Sequence, residues 1–338
     1  MKTSTPLVSV VMPVYNGGSY LIDAVASVIE QSCTDWELIC VNDGSTDGSQ
    51  AVLEWFAGQD RRIRVLHQQN AGIVSALNLG CFAARAPLIA RMDCDDIATP
   101  DRLCIQTRHM REQPQCVVVG GAILEMDAAG HPLRLSRLAT RHEQIVENLL
   151  CRRTGHFHPT TLIRAAAFEA VGGYRTEYQW IEDHDLWLRL SSRGQLANLT
   201  DVVLRYRQHT GSVCWQRAAQ QRQLMNQLLR QAHQQRGLDV PDSVLAHPAQ
   251  SRSAAGPGKW ARAAAKGGFP VSVHKHLREL FKSHAATRYK FRMFAESVAR
   301  LMVSFPLRLL RESAALPSGN YDAWHTKWRQ HQGRERAA

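Results

Sequence analysis

Short unbroken apolar runs alternate with stretches of helical periodicity over the first hundred positions. Residues 6–16 carry no alternation of apolar and polar positions, which predicts a strand buried on both faces, as in a parallel sheet. Gly17 and Gly18 open a loop, and Leu21, Ala24, Val25, Val28 and Ile29 then recur at helical spacing over 20–31. Residues 36–41, 63–66 and 88–90 predict three further strands, with helices at 49–58 and 74–84 between them. Each strand runs into a turn before a helix, the unit of an α/β fold. Four such units predict a doubly wound sheet with its functional loops on one edge.

Beyond residue 100 the pattern predicts a helix at 100–111 and a strand at 116–119, broken by Gly120-Gly121. A further strand at 122–126, a helix at 140–150 and a helix at 183–192 burying Leu186, Trp187 and Leu190 follow. Residues 202–212 alternate like an exposed strand, and 216–236, rich in Gln, Arg and Leu, predict another helix. Pro, Ser, Ala and Gly concentrate in 241–259, which reads as a linker. The organisation expected is therefore a body over 1–240, in halves 1–100 and 101–240, then the linker, then a helical region over 260–338.

Charge separates these parts. Residues 1–250 hold 24 Lys and Arg against 25 Asp and Glu, whereas 251–338 hold 17 against 5. The chain's +11 thus belongs to its tail, around a near-neutral body. Eight cysteines lie scattered without CxxC pairing, as reduced thiols do. No apolar run reaches the roughly 18 residues of a membrane helix, and the first residues lack a signal-peptide core. These features predict a cytoplasmic protein.

The chemistry concentrates where residues 88–90 run into Asp93, Asp95 and Asp96. Carboxylates this close repel unless something positive lies between them. A divalent cation with oxygen ligands, and a phosphate-bearing substrate beyond it, answers that need. An acidic turn capping the next helix, through Asp96 or Thr99 before Pro100, is the plainer alternative. Asp43 stands at the end of its own strand on the same edge, in a turn with two Asp, one Asn and two Gly. His156 and His158 have the spacing of a zinc pair, but no further ligand follows at suitable spacing, so a structural role is favoured.

Val8–Asn16, Val41–Asp47, Met92–Asp96 and Ile181–Leu190, in that order over about residues 6–215, resemble the family 2 glycosyltransferases. The resemblance implies a GT-A fold, a mixed α/β sheet flanked by helices, and inverting transfer from a nucleotide sugar. It places Pro13, Val14, Tyr15 and Asn16 along one wall of the donor pocket and Asp43 on the nucleobase. Asp93, Cys94 and Asp95 match the DxD motif, with Asp93 and Asp95 implied as ligands of Mg²⁺ or Mn²⁺. Asn78 falls on the helix lining the donor pocket, or else satisfies a buried backbone group. Asp183 corresponds to the base that takes the acceptor proton, with Glu182 orienting it. Arg205 and Arg207 are implied at the diphosphate and His209 in the metal shell, unless they sit on an ordinary exposed strand. The Gln-x-x-Arg-Trp motif of processive relatives is absent, which implies addition of a single sugar. A UDP- or dTDP-linked donor and a saccharide or lipid-linked acceptor of surface polysaccharide synthesis fit that reading.

In the tail, Phe291, Phe294, Val298, Leu301, Phe305 and Leu309 fall at helical spacing among Lys and Arg, with Pro306 kinking or ending the run. With Trp324 and Trp328 beyond, this suits peripheral contact with an anionic membrane at its inner face, or packing on the body or another subunit. A nucleotidyltransferase would carry a basic, Gly-rich loop near its N-terminus, and residues 14–18 contain no cation. A nucleic-acid binder acting through the tail is opposed by the acidic-clefted body, so no nucleic-acid partner is expected.

Overall fold

A computed structural model describes residues 5–209, 218–246, 256–283, 285, 287–309 and 321–335. Strands β1 (Val8–Val14), β2 (Trp36–Asp43), β3 (Ile63–Gln68) and β4 (Leu88–Arg91) are parallel, in the order β3-β2-β1-β4. Every residue of β1, β2 and β4 is buried, which is why their sequences lack alternation. Helices α1 (Leu21–Ile29), α2 (Ser49–Gln59) and α3 (Ile73–Phe82) make the crossovers. The chain steps outward from β1 to β3, then returns to lay β4 on the far side of β1. That reversal opens a crevice beyond the C-terminal ends of β1 and β4, where α/β sheets bind ligands.

The second half extends the same sheet through β5 (Ile97–Ala98), β6 (Cys116–Met126), β7 (Pro132–Ser136), β8 (Leu162–Arg164) and β9 (Gln195–Arg207). From β4 the order continues β8-β6-β9-β5, with β7 paired to β6. β8 runs antiparallel to both its neighbours and β9 parallel to β6, so the sheet is mixed. Helices α4 (Arg102–Glu112), α5 (His142–Leu150), α6 (Ala165–Ala170), α7 (Glu182–Leu190) and α8 (Ala218–Gln234) complete this half.

Three expectations are corrected here. Gly120-Gly121 do not break β6: a Cβ on Gly121 would stand 2.7 Å from Val203 Cγ2, so the glycines admit the neighbouring strand rather than end their own. β9 begins seven residues before the expected strand and lies between β6 and β5, so it is no exposed edge. Its polar Asn198 is buried and donates to Ala139 O at 2.7 Å and Gly155 O at 2.8 Å. Residues 210–212 of the expected strand lie outside the described residues.

The expected linker contains α9 (Asp242–Leu245) and the start of α10 (Pro257–Gly267), with 247–255 outside the described residues. α10, α11 (Pro270–Lys282) and α12 (Thr287–Leu309) bury Ala261, Ala264, Val273, Leu277 and Met293 against Leu133 of β7. Lys275 Nζ and His276 Nε2 approach Asp127 Oδ2 at 2.6 and 3.1 Å, which fastens this bundle to the body. α12 runs through Pro306 to Leu309, so the proline does not end it. The side chains of Phe305 and Leu309 lie outside the described residues. α13 (Asp322–Glu335) returns to the first half, where the Trp328 ring lies 5.5 Å from that of Trp55 and Trp324 Nε1 donates to Glu30 Oε1 at 2.9 Å. Both tryptophans expected at a membrane are therefore turned onto the body.

At the N-terminal end of β2, Glu37 is 2% exposed and accepts from Ser9 Oγ (2.7 Å), Arg85 N and Nε (both 2.9 Å) and Arg64 Nη1 (3.0 Å). Burial raises its pKa, but the Arg85, Ser9 and Arg64 donors outweigh this and bring it from 4.5 down to about 2. A depressed native pKa gives stability that is full above 4.5 and lost as pH falls through 2. Glu37→Ala should cost about 2 kcal/mol at neutral pH by removing the acceptor of the buried Ser9 hydroxyl and of Arg85 N. Urea unfolding at pH 7 and at pH 3 should show the gap between wild type and variant narrowing in acid.

Candidate functional site

The buried run Leu88–Arg91 delivers the chain to the mouth of the crevice, where Asp93, Asp95 and Asp96 bring carboxylate oxygens within 4.8 Å of one another. Asp93 Oδ2 accepts from Arg91 Nη1 at 2.6 Å, and Asp95 Oδ2 lies 2.8 Å from His209 Nε2. Asp96 is fully buried; one oxygen accepts from Arg207 N at 2.8 Å, and the other has no partner among the described residues. Burial, then the neighbouring acids, pushes the Asp96 carboxyl well up, and burial does the same to Asp93 against the pull of Arg91. Asp96 caps no helix, so the plainer reading of this turn fails: α4 starts only at Arg102, and Asp96 points inward. Among the described residues this is the one cluster of His, Cys, Asp or Glu able to hold a metal. Hard carboxylate oxygens, one of them buried and unpaired, with an imidazole alongside, fit a divalent cation.

Three arginines build the cluster's underside, and only one of them was anticipated. Burial opposes the charge of Arg91, but Asp93 beside it prevails and holds the guanidinium more firmly protonated than usual. Arg102 is buried too, donates to Arg91 O at 2.7 Å, and has its pKa lowered to about 9 by that burial. Arg207, expected at the diphosphate, is instead turned inward. Its Nε donates to Asp95 O and its Nη1 to Ala128 O, each at 2.8 Å, and its guanidinium lies 4.5 Å over the Tyr20 ring. Arg205 Nη2 is likewise spent on Gly130 O at 3.0 Å.

On the β1–β2 side two loops are stitched together. Thr46 N donates to Asn16 Oδ1 at 2.8 Å, Asn16 N donates to Ser45 Oγ at 3.1 Å, and Gly17 N donates to Ser49 Oγ at 2.9 Å. Pro13 and Val14 are buried beneath, and Tyr15 is exposed above them. Cys94 Sγ lies 3.5 Å from where a Gly17 Cβ would stand, so the DxD turn abuts this wall. Asp43 is the last residue of β2; it accepts from Gln68 Nε2 (2.6 Å), Ala71 N (2.8 Å) and Gly72 N (3.0 Å). Its carboxylate thereby orders the loop that faces the crevice.

On the opposite side Glu182 and Asp183 open α7. Asp183 is half-buried and accepts from His184 N at 2.8 Å, and buried Glu182 accepts from Trp180 N at 2.7 Å. Burial, then Asp183, raises the Glu182 pKa from 4.5 to about 7. Tyr174 bridges the two halves: it lies within electrostatic reach of Arg91, Glu182 and Asp183, and its hydroxyl meets His158 Nε2 at 2.8 Å. His156 meets Asn198 Oδ1 at 2.8 Å, and both histidines lie edge-on to Trp187, His156 buried and His158 half-buried, with loss of solvent lowering the pKa of each. Asn78 donates to Tyr174 O at 2.8 Å and accepts from Tyr174 N at 2.9 Å, which commits it to this turn and not to the donor pocket. Asp185 is fully buried and grips both Arg175 and Arg189, whose Nη2 also donates to Gly173 O at 2.8 Å.

Residues 9–172 match the model of glycosyl transferase family 2. The putative glycosyltransferase EpsE of Bacillus subtilis is 31% identical over 210 residues, which is 61% of this chain and 74% of that protein. The chain is a family 2 glycosyltransferase. The amylovoran biosynthesis glycosyltransferase AmsE of Erwinia amylovora is 32% identical over 204 residues, 59% of this glycosyltransferase and 75% of its own length. Among solved structures, that of S. aureus TarS 1-349 in complex with UDP-GlcNAc superposes with a TM-score of 0.55 at 15% identity, covering 96% of this chain and 92% of that one. The fold is thus GT-A-like. Glu182 and Asp183 lie just past the stretch that the family model matches.

Because the native state holds a proton on Glu182 that the unfolded chain releases, stability is full below pH 4.5 and lost as pH rises through 7. Glu182→Gln should abolish this loss, gaining on wild type by up to about 3 kcal/mol between those limits. Denaturant midpoints of both proteins at pH 5 and pH 8 check it; an unchanged difference contradicts the assignment.

Proposed function

We propose that this glycosyltransferase moves one sugar, with inversion, from a UDP- or dTDP-linked donor to a saccharide or lipid-linked acceptor in cell-surface polysaccharide synthesis. The observation that carries the reading is the carboxylate cluster at the switch point between β1 and β4, with the unpaired buried oxygen of Asp96. The naming of AmsE for amylovoran biosynthesis and the UDP-GlcNAc bound to TarS support the polymer and the donor class. Asp93, Asp95 and His209 are the residues that would hold Mn²⁺ or Mg²⁺. Such an ion, when bound, supplies positive charge against the two phosphates of the departing nucleotide.

Asp43 and the loops at Pro13–Asn16 face the base and ribose, the former already oriented by three protein donors. As the acceptor hydroxyl attacks the anomeric carbon, the bond to phosphate breaks, and Asp183 takes the hydroxyl proton on the oxygen not bonded to His184 N. Glu182, with its pKa near 7, stands behind Asp183 and orients it. Arg207 and Asn78 act as positioning residues, the first for Asp95 and Asp96, the second for the Tyr174 turn. The Lys275–Asp127 side of the molecule is left to the helical region, consistent with a basic appendage on a catalytic body.

Donor hydrolysis across a panel of nucleotide sugars, with Mn²⁺, with Mg²⁺ and with EDTA, tests the reading. Metal-dependent release of UDP or dTDP from one donor, lost in Asp95→Ala, is the expected outcome. Once an acceptor is found, Asp183→Asn should lower kcat by about 10²–10⁴ with little change in the donor KM. Absence of nucleotide binding with any metal would end the proposal.

A further inference from the structure

α12 carries a face that nothing in the described molecule covers. Phe291, Phe294, Val298 and Met302 recur along it at three- and four-residue spacing and are 62, 45, 36 and 75% exposed. Phe281, at the end of α11, brings its ring to 6.1 and 6.2 Å from those of Phe291 and Phe294, so two helices share one patch. The opposite faces of the same helices, through Val273, Leu277, Leu280 and Met293, already form the core of the bundle. The patch is therefore a second apolar face and not a core left open. Clustered exposed aromatics of this kind mark a surface that meets something apolar.

Charge decides what that is. Arg278, Lys282, Arg288 and Arg292 are exposed along the same two helices, and only Glu279 and Glu296 oppose them between residues 278 and 302. A partner that is apolar inside and negative at its surface, extended enough to take two helices side by side, is an anionic bilayer. We propose that the α11–α12 face seats this protein on anionic lipid. The phenylalanine rings enter the boundary between headgroups and acyl chains, and the arginines and lysines meet the phosphates. The body hangs from that face through Asp127, whose neighbour Ala128 accepts from Arg207, the residue that holds Asp95. On the transferase reading, this places the carboxylate site beside a lipid-anchored acceptor; the attachment itself does not rest on that reading.

Sedimentation of the full chain with phosphatidylcholine vesicles, with and without an equal part of phosphatidylglycerol, tests the attachment. Binding is expected only with phosphatidylglycerol and should weaken as salt is raised. Joint replacement Phe291→Glu and Phe294→Glu, both at exposed positions, should weaken it by about tenfold or more. Arg288→Glu with Arg292→Glu should weaken it too, with the circular dichroism spectrum of each variant unchanged. Equal binding to neutral vesicles, binding indifferent to the phenylalanine changes, or no binding at low salt overturns the proposal. Self-association of the free protein that the same phenylalanine changes abolish, without vesicle binding, assigns the face to a second copy and also overturns it. Donor hydrolysis in free solution should be unaffected by these variants. Its failure in wild type would count against the transferase reading alone.

Discussion

Three carboxylates packed at the end of one buried strand cannot persist on their own, and most of the molecule's polar architecture answers that strain. Arg91 pairs with Asp93 from within the strand, and Arg102 braces Arg91 from α4. Arg207 ties the backbone of Asp95 and the side chain of Asp96 to the last strand of the sheet. Each of these cations is buried, so each would be costly without its acidic partner, and the acids would be equally costly without them. The cluster is thus held between two halves of the sheet that are far apart in sequence. A site of this kind cannot form before β9 is in place.

Protein groups meet Asp93, Asp95 and one oxygen of Asp96, while the other Asp96 oxygen, also buried, has no partner among the described residues. Tyr174 then joins this edge to Glu182 and Asp183, and Glu182 feels the same arginine that steadies Asp93. The two carboxylate groups share one electrostatic environment.

Much of this was legible in the chain. Unbroken apolar runs marked β1, β2 and β4 because burial on both faces removes alternation, and the acidic turn marked the site because repulsion demands a counter-ion. What escaped was whatever depends on direction. Arg207 and Asn78 have the chemistry of ligand contacts, yet their shortest side-chain hydrogen bonds go to backbone, and no pattern in the sequence says which way a guanidinium or amide faces. Gly120-Gly121 look like a break, and only the nearness of Val203 shows them to be clearance for a neighbour. The two tryptophans of α13 read as interfacial anchors because their partners, Trp55 and Glu30, are supplied by packing and not by local spacing.

That last contact has a consequence for synthesis. Glu30 and Trp324 are 294 residues apart, so the outer surface of α1 and α2, with its Trp55 ring, waits for a helix that leaves the ribosome long after the first half of the sheet can fold. Through that interval the nascent half presents bare aromatic surface, the kind that chaperones hold and that aggregation exploits. Closure by α13 is then a late seal.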